Sequence, residues 1–229
     1  MIDGSGWSRF NTWEHSATVR DLYTRRCRRE VAPMVSHLQA ARLLAPHVAA
    51  GDSLLDAGCG SGYFVHALRD QQVPAEYYGC DAAPPLIAIG REVLPGHGLP
   101  VERLLDLRIE DLNATVDHVV CINVLSNLDN YHRPLERLLL SARKTVLIRE
   151  SIAERASYSY VDDRYLDPGV SLKVYVNTYA RADVQAFVES YGFQVTFEID
   201  DYTKGEPQMV IGHPHRWTFL KATRLEGRN

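Results

Sequence analysis

The run Leu54-Leu55-Asp56-Ala57-Gly58-Cys59-Gly60-Ser61-Gly62 constrains this chain more than any other stretch. Apolar residues lead into three glycines at alternate positions, and a helical pattern follows. Glycines let the backbone turn tightly and let a ligand approach it, while a helix start leaves amides unpaired. A strand, such a turn and a helix form the repeating unit of a doubly wound sheet, whose ligands sit in the crevice outside the strand ends. The chain keeps that rhythm downstream. Short apolar runs predict strands near 53–57, 76–81, 101–106, 117–122 and 144–150, with helices near 62–70, 84–93 and 133–142 between them. Pro84 or Pro85, and Pro134, fall where a first helical turn tolerates proline. Strands separated by helices predict a mostly parallel sheet covered on both faces.

The flanks read differently. Residues 12–48 carry apolar side chains at helical spacing, with Pro33 marking a break between two helices or lying in the first turn of one. Residues 151–180 are polar and tyrosine-rich, without a clear period. A helix is predicted over 181–191, stopped at Gly192. Two apolar runs, 193–199 and 217–222, then follow without a helix between them, which predicts an antiparallel pair. No linker or repeat divides the chain, so a single domain over 1–229 is expected: a helical cap at 1–50 and a core at 51–229 with an insertion at 151–180.

Composition narrows the function classes. With 45% hydrophobic residues and 24% charged, disorder as the main state is excluded. The formal charge of −4 argues against a nucleic-acid partner, which needs a basic face. No apolar run approaches the ~18 residues of a membrane span, and the first residues lack a signal-peptide pattern. Cys27, Cys59, Cys80 and Cys121 form no CxxC pair or disulfide framework. A soluble, cytoplasmic protein with free thiols is expected, as monomer or homodimer. His213-Pro214-His215 is the tightest histidine pair, but no acid stands at a diagnostic spacing, so no metal is expected.

The chemistry lies in two acids. Asp56 precedes the glycines, where a carboxylate sits badly beside a pyrophosphate but well beside an ammonium group. Asp81 ends the next predicted strand, 23 residues after Gly58, the place from which a carboxylate accepts both hydroxyls of a ribose. Acid, glycine turn and second acid together describe a nucleoside bearing an amino-acid tail. Over roughly residues 50–222 this combination resembles the class I S-adenosylmethionine-dependent methyltransferases.

The resemblance implies an α/β fold: a Rossmann-like, doubly wound, mostly parallel seven-stranded sheet with an antiparallel C-terminal strand and an N-terminal helical cap. It implies that Asp56, Gly58, Cys59, Gly60 and Gly62 hold the methionine moiety of S-adenosyl-L-methionine, and S-adenosyl-L-homocysteine as product. Asp81, with Ala82, would take the ribose. Ile109 would pack the adenine ring and Glu110 meet its amine, in the run Arg108-Ile109-Glu110-Asp111-Leu112. Cys121-Ile122-Asn123 would run beneath the sulfonium toward the acceptor. Tyr23, Arg20 and Arg26 of the cap are candidates for the methionine carboxylate. Arg108 stands where the family often has aspartate, Asn127 where many members have histidine, and Ser141-Ala142-Arg143-Lys144 where a glycine pair is usual.

An acceptor site is expected from Asn123 and the insertion's Tyr160, Tyr165 and Tyr175. A hydroxyl acceptor needs its proton removed, and His132 and His213 are the candidate bases. The expected activity is methyl transfer to a small polar molecule, on oxygen of a sugar or biosynthetic intermediate. N-methylation of a small amine, a catalytically silent methyltransferase-like binding protein and a dinucleotide-dependent oxidoreductase stay open beside it.

Overall fold

The computed structural model describes residues 5–225. Its helices are α1 Ser5–Ser8, α2 Ala17–Cys27, α3 Val35–Leu44, α4 Phe64–Asp70, α5 Pro84–Val93, α6 His132–Ser141 and α7 Arg181–Ser190. The first five strands are β1 Ser53–Ala57, β2 Glu76–Asp81, β3 Leu104–Asp106, β4 Val116–Ile122 and β5 Ala142–Ala153. Then come β6 Tyr160–Asp162, β7 Lys173–Tyr175, β8 Tyr179–Ala180, β9 Phe193–Ile199, β10 Gln208–Val210, β11 His213–His215 and β12 Trp217–Arg224.

The main sheet runs β3-β2-β1-β4-β5-β12-β9, with the short β8 paired beside β5. β1 through β5 pair parallel, and β12 runs antiparallel to both β5 and β9. The order reverses between β1 and β4, which opens the crevice at the strand ends. Helices cover both faces, as the alternating pattern predicts. Leu135, Leu138 and Leu139 of α6 and Val184 and Val188 of α7 bury against one face. Ala40, Ala41 and Leu44 of α3, Phe64 and Leu68 of α4 and Ile87 of α5 bury against the other. Each fully buried leucine or phenylalanine contributes roughly 1.5–3 kcal/mol, so this two-sided packing is what holds the sheet.

Local chemistry sets the element ends. Pro84 and Pro85 occupy the first turn of α5, where the missing N–H costs nothing. Ser16 caps α2 by accepting the Val19 N–H at 3.2 Å. β3 begins at Leu104 rather than at 101, because Val101–Arg103 closes a 3-10 turn on the Pro100 carbonyl at this open sheet edge. β5 is longer than its apolar run suggests, since β12 and β8 pair with it as far as Ala153. The tyrosine-rich insertion is not wholly irregular: β6 and β7 form a hairpin in which Tyr160 faces Tyr175.

Candidate functional site

The glycine turn is stitched to the end of β2: the N–H groups of Gly58 and Cys59 both donate to the Cys80 carbonyl, at 2.8 and 3.0 Å. Gly58 and Gly60 have φ of +76° and +57°, a region that disfavours side chains. Space forbids them too. A Cβ on Gly58 would lie 2.3 Å from Cγ2 of Val124, and one on Gly60 would lie 2.3 Å from the Tyr23 ring. The backbone here is bare because two neighbouring elements press upon it.

Asp81 sits at the centre of this stitching. Its Oδ2 accepts the Gly60 N–H at 2.7 Å and its Oδ1 accepts the Ala83 N–H at 2.8 Å. Burial pushes its pKa up, and these backbone donors oppose that. The carboxylate is thereby aimed and rigid, with lone pairs left for hydroxyl donors. Asp56 is buried one strand away and accepts the Tyr77 hydroxyl at 2.8 Å. Burial carries its pKa up to about 7, with the Tyr77 hydrogen bond opposing and Asp81 adding to the rise. An acid in that state gains most from a nearby cation, because ionisation is what its surroundings withhold.

The cap closes the same corner. Tyr23 lies on Gly60 and meets Tyr63 edge-on, with ring centroids 5.3 Å apart. Burial, the largest influence on Tyr23, pushes its hydroxyl pKa up to about 12, while Arg26 pulls it down. Arg26 stacks against both rings and donates to the Tyr63 hydroxyl at 2.9 Å. A cavity of about 410 Å³ opens behind this pair, lined in part by Arg26, Met34, His37 and Tyr63. Arg26 therefore stands between that cavity and the glycine turn. Arg20 instead pairs with Asp167 of the insertion at 3.1 Å. On the ribose side, Asn11 donates to the Ala82 carbonyl at 3.4 Å.

Other expected residues divide into two groups. Ile109 is buried in a 3-10 turn, Ile109–Asp111, and packs with the cluster that includes α6, while the half-buried Glu110 meets Arg108 at 3.6 Å. Cys80 and Cys121 are fully buried and their thiols are held protonated by burial, which suits fillers rather than nucleophiles. Asn123, at the end of β4, has φ +60° and a side chain already bound by Arg149. These lie at the strand ends with Asp56 and Asp81.

The candidate histidines and tyrosines have neighbours of their own. His132 is exposed, stacks on Tyr131 at 4.1 Å and bonds Asn130. His213 lies in the β10–β11 hairpin opposite Val210. Tyr160 and Tyr175 stack on each other at 4.4 Å, with Tyr160 52% exposed. Tyr165 is exposed, and its carbonyl accepts the Ser16 hydroxyl at 2.6 Å. Sequence reading does not single out Arg149, Glu150 or Asn177, which surround the end of β4. The one visible signal was two adjacent charges inside the apolar run of β5, a place where unpaired charge is costly.

Residues 55–146 match a family model described as a methyltransferase domain. The fold is similar to that of magnesium protoporphyrin IX methyltransferase from Synechocystis with bound SAM. The TM-score is 0.62 and the identity 18%, over 98% of this chain and 99% of that one. It is also similar to an S-adenosylmethionine-dependent methyltransferase from Clostridium acetobutylicum: TM-score 0.61, 11% identity, 90% and 98% of the two chains. A third is 1,6-didemethyltoxoflavin-N1-methyltransferase from Burkholderia thailandensis: TM-score 0.57, 14% identity, 92% and 88% of the chains. No curated protein matches the sequence.

Proposed function

We propose that this chain, which carries a class I S-adenosylmethionine-dependent methyltransferase domain, transfers a methyl group to a small polar molecule, most fittingly at oxygen. The observation that carries the reading is the Asp81 carboxylate, fixed by the Gly60 and Ala83 N–H groups beside a bare glycine turn. The residues present fit the cofactor. Asp81 suits the ribose hydroxyls and Asp56 the ammonium group, while Gly58 and Gly60 leave the turn without side chains of its own. Arg26 suits the carboxylate, since the described contacts give its guanidinium only tyrosines as partners. Ile109 and Glu110 suit adenine.

When bound, S-adenosylmethionine supplies a methyl group already activated by its sulfonium. The chain's own work is alignment and exclusion of water. The cap brings Tyr23 onto the turn, and the end of β4 presents Asn123 and the loop behind it. His132, stacked on Tyr131, and His213, in the β10–β11 hairpin, stay the candidate bases for a hydroxyl acceptor, while an acceptor that loses its proton only as the bond forms needs neither.

The small-molecule reading rests on the net charge of −4, which gives a nucleic acid no basic surface in bulk. No helix among the described residues is long and apolar enough to cross a membrane. We place the protein in the cytoplasm, as monomer or homodimer. The N-methyltransferase among the structural relatives keeps amine acceptors as the second reading.

Isothermal titration with S-adenosylhomocysteine tests the cofactor. Saturable one-site binding is expected, weakened by about 100-fold in Asp81→Ala, since hydrogen bonds to a charged group are worth ~1.5–3 kcal/mol each. Binding of NAD in its place would end the reading. Tritiated methyl transfer to a metabolite extract, compared with RNA and protein, then tests the acceptor class.

A further inference from the structure

Strand β5 carries two adjacent charged residues, Arg149 and Glu150, which are 3% and 1% exposed. Neighbours along a strand point to opposite faces. The packing here obeys that alternation: Leu147 belongs to the cluster beneath α3 and α4, Ile148 and Ile152 to the cluster beneath α6 and α7. Arg149 therefore stands on one face and Glu150 on the other.

Both reach the same short loop. Arg149 stacks over Trp217, 4.6 Å from the ring centroid, and its Nε donates to Asp200 Oδ1 at 2.7 Å. Its Nη1 donates to Asn123 Oδ1 at 2.5 Å. From the opposite face, Glu150 Oε1 accepts the N–H groups of Val124 and Leu125, each at 2.7 Å, and Oε2 accepts that of Ser126 at 3.0 Å. Four consecutive residues after β4 are thus held by two consecutive residues of β5.

That loop is a junction. On one side Val124 presses on Gly58 of the cofactor turn. On the other, the Tyr179 hydroxyl donates to the Leu125 carbonyl and the Asn177 N–H to the Ser126 carbonyl, at 2.9 Å for the latter. Asn177 Nδ2 also donates to the Leu128 carbonyl at 2.8 Å. The insertion and the glycine turn therefore take their relative positions through residues 123–128. Buried ion pairs are weak sources of stability compared with apolar side chains of equal volume, but they fix geometry.

We propose that Glu150 and Arg149 are positioning residues for methyl transfer, a two-sided clamp that sets the loop between donor and acceptor. The inference rests on the methyltransferase reading above. In-line displacement is sensitive to alignment, and a misplacement of about 1 Å can cost about 100-fold in rate. Neither Arg149 nor Glu150 contacts the ribose acid or the glycine backbone directly, and only Val124 links their loop to the turn, so the expected effect falls on turnover more than on cofactor affinity.

The test uses the full chain with Glu150→Gln, Glu150→Asp and Arg149→Lys. Glutamine keeps the shape of Glu150 but turns an amide NH₂ toward backbone donors. Rates are read as tritiated methyl transfer to a small-molecule extract at varied S-adenosylmethionine. Glu150→Gln is expected to lower kcat by about 10- to 100-fold, with KM for S-adenosylmethionine and Kd for S-adenosylhomocysteine within about threefold of wild type. Glu150→Asp, which keeps the charge, recovers part of the rate, and Arg149→Lys shows the same kcat-selective loss. Hydrogen–deuterium exchange gives an activity-independent readout: amides of 123–128 exchange faster in Glu150→Gln while those of the glycine turn do not.

Wild-type kcat and unchanged exchange in Glu150→Gln would overturn the proposal. So would a parallel fall of kcat, cofactor affinity and melting temperature, or loss of fold in all three variants, because each assigns the pair to stability alone. A wild-type protein that binds no S-adenosylhomocysteine sinks the methyltransferase reading instead, and the exchange result still decides the clamp.

Discussion

On the proposed reading, Asp56 couples a proton to cofactor binding. Its pKa of about 7 lies above the ordinary aspartate value of 3.8, chiefly through burial. A raised acid favours the protonated form, so the stability that this group gives the ligand-free protein is lost as pH rises toward 7. Affinity runs the other way. The ionised form attracts an ammonium group, so S-adenosylhomocysteine is expected to bind about tenfold more tightly at pH 8 than at pH 6. Titration calorimetry across that range checks it, and a flat profile in wild type would remove Asp56 from the site. Asp56→Asn is expected to flatten the profile. Gly60→Ala should abolish binding, since its Cβ meets the Tyr23 ring at a φ of +57°. The strand–turn–helix unit that carries the two acids and the glycines was legible because its pattern lies in local spacing along the chain. Arg149 and Glu150 were not: their partners lie some 25 residues or more away in sequence, and only folding shows that both reach one loop.

Among the elements, the cap and the insertion meet at Asp167. Its Oδ1 accepts the Ala17 N–H at 2.6 Å at the start of α2, and its Oδ2 takes Arg20 at 3.1 Å. The Asp167 N–H donates in turn to the His15 carbonyl at 2.8 Å. A carboxylate at a helix N-terminus is favourably placed, and here it joins two coverings that sequence reading treats separately. Asp167→Ala is expected to release S-adenosylhomocysteine faster, and to speed limited proteolysis near residues 10–16 and 163–170. Stopped-flow release at an unchanged rate would show that the two coverings move independently. The regular elements were legible where one periodicity rules: α5 occupies 84–93 and β9 occupies 193–199, as their patterns predict. The β6–β7 hairpin was hidden, because its strands are three residues each, too short for a period to show.

On the scale of the whole molecule, the sheet is a wall between two apolar layers, and β12 lies inside it, between β5 and the edge strand β9, rather than at its rim. Leu220 is fully buried there, opposite Ile148 of β5. Leu220→Ala is expected to cost about 2–5 kcal/mol in urea unfolding, while the folded fraction keeps wild-type affinity for S-adenosylhomocysteine. A matching loss of affinity would show that the sheet and the site are not separable. The parallel half of this plan was readable from alternating strands and helices, whereas the place of β12 between β5 and β9 follows from tertiary pairing that no local pattern records. Its position has a consequence for how the protein comes into being. A growing polypeptide has the glycine turn, both acids and the parallel strands in hand well before Trp217 is added, yet β5 waits with an open flank and Arg149 without its indole neighbour. A ribosome stalled short of that strand therefore holds the glycine turn and both acids on a sheet whose last parallel strand is still unpaired along one flank.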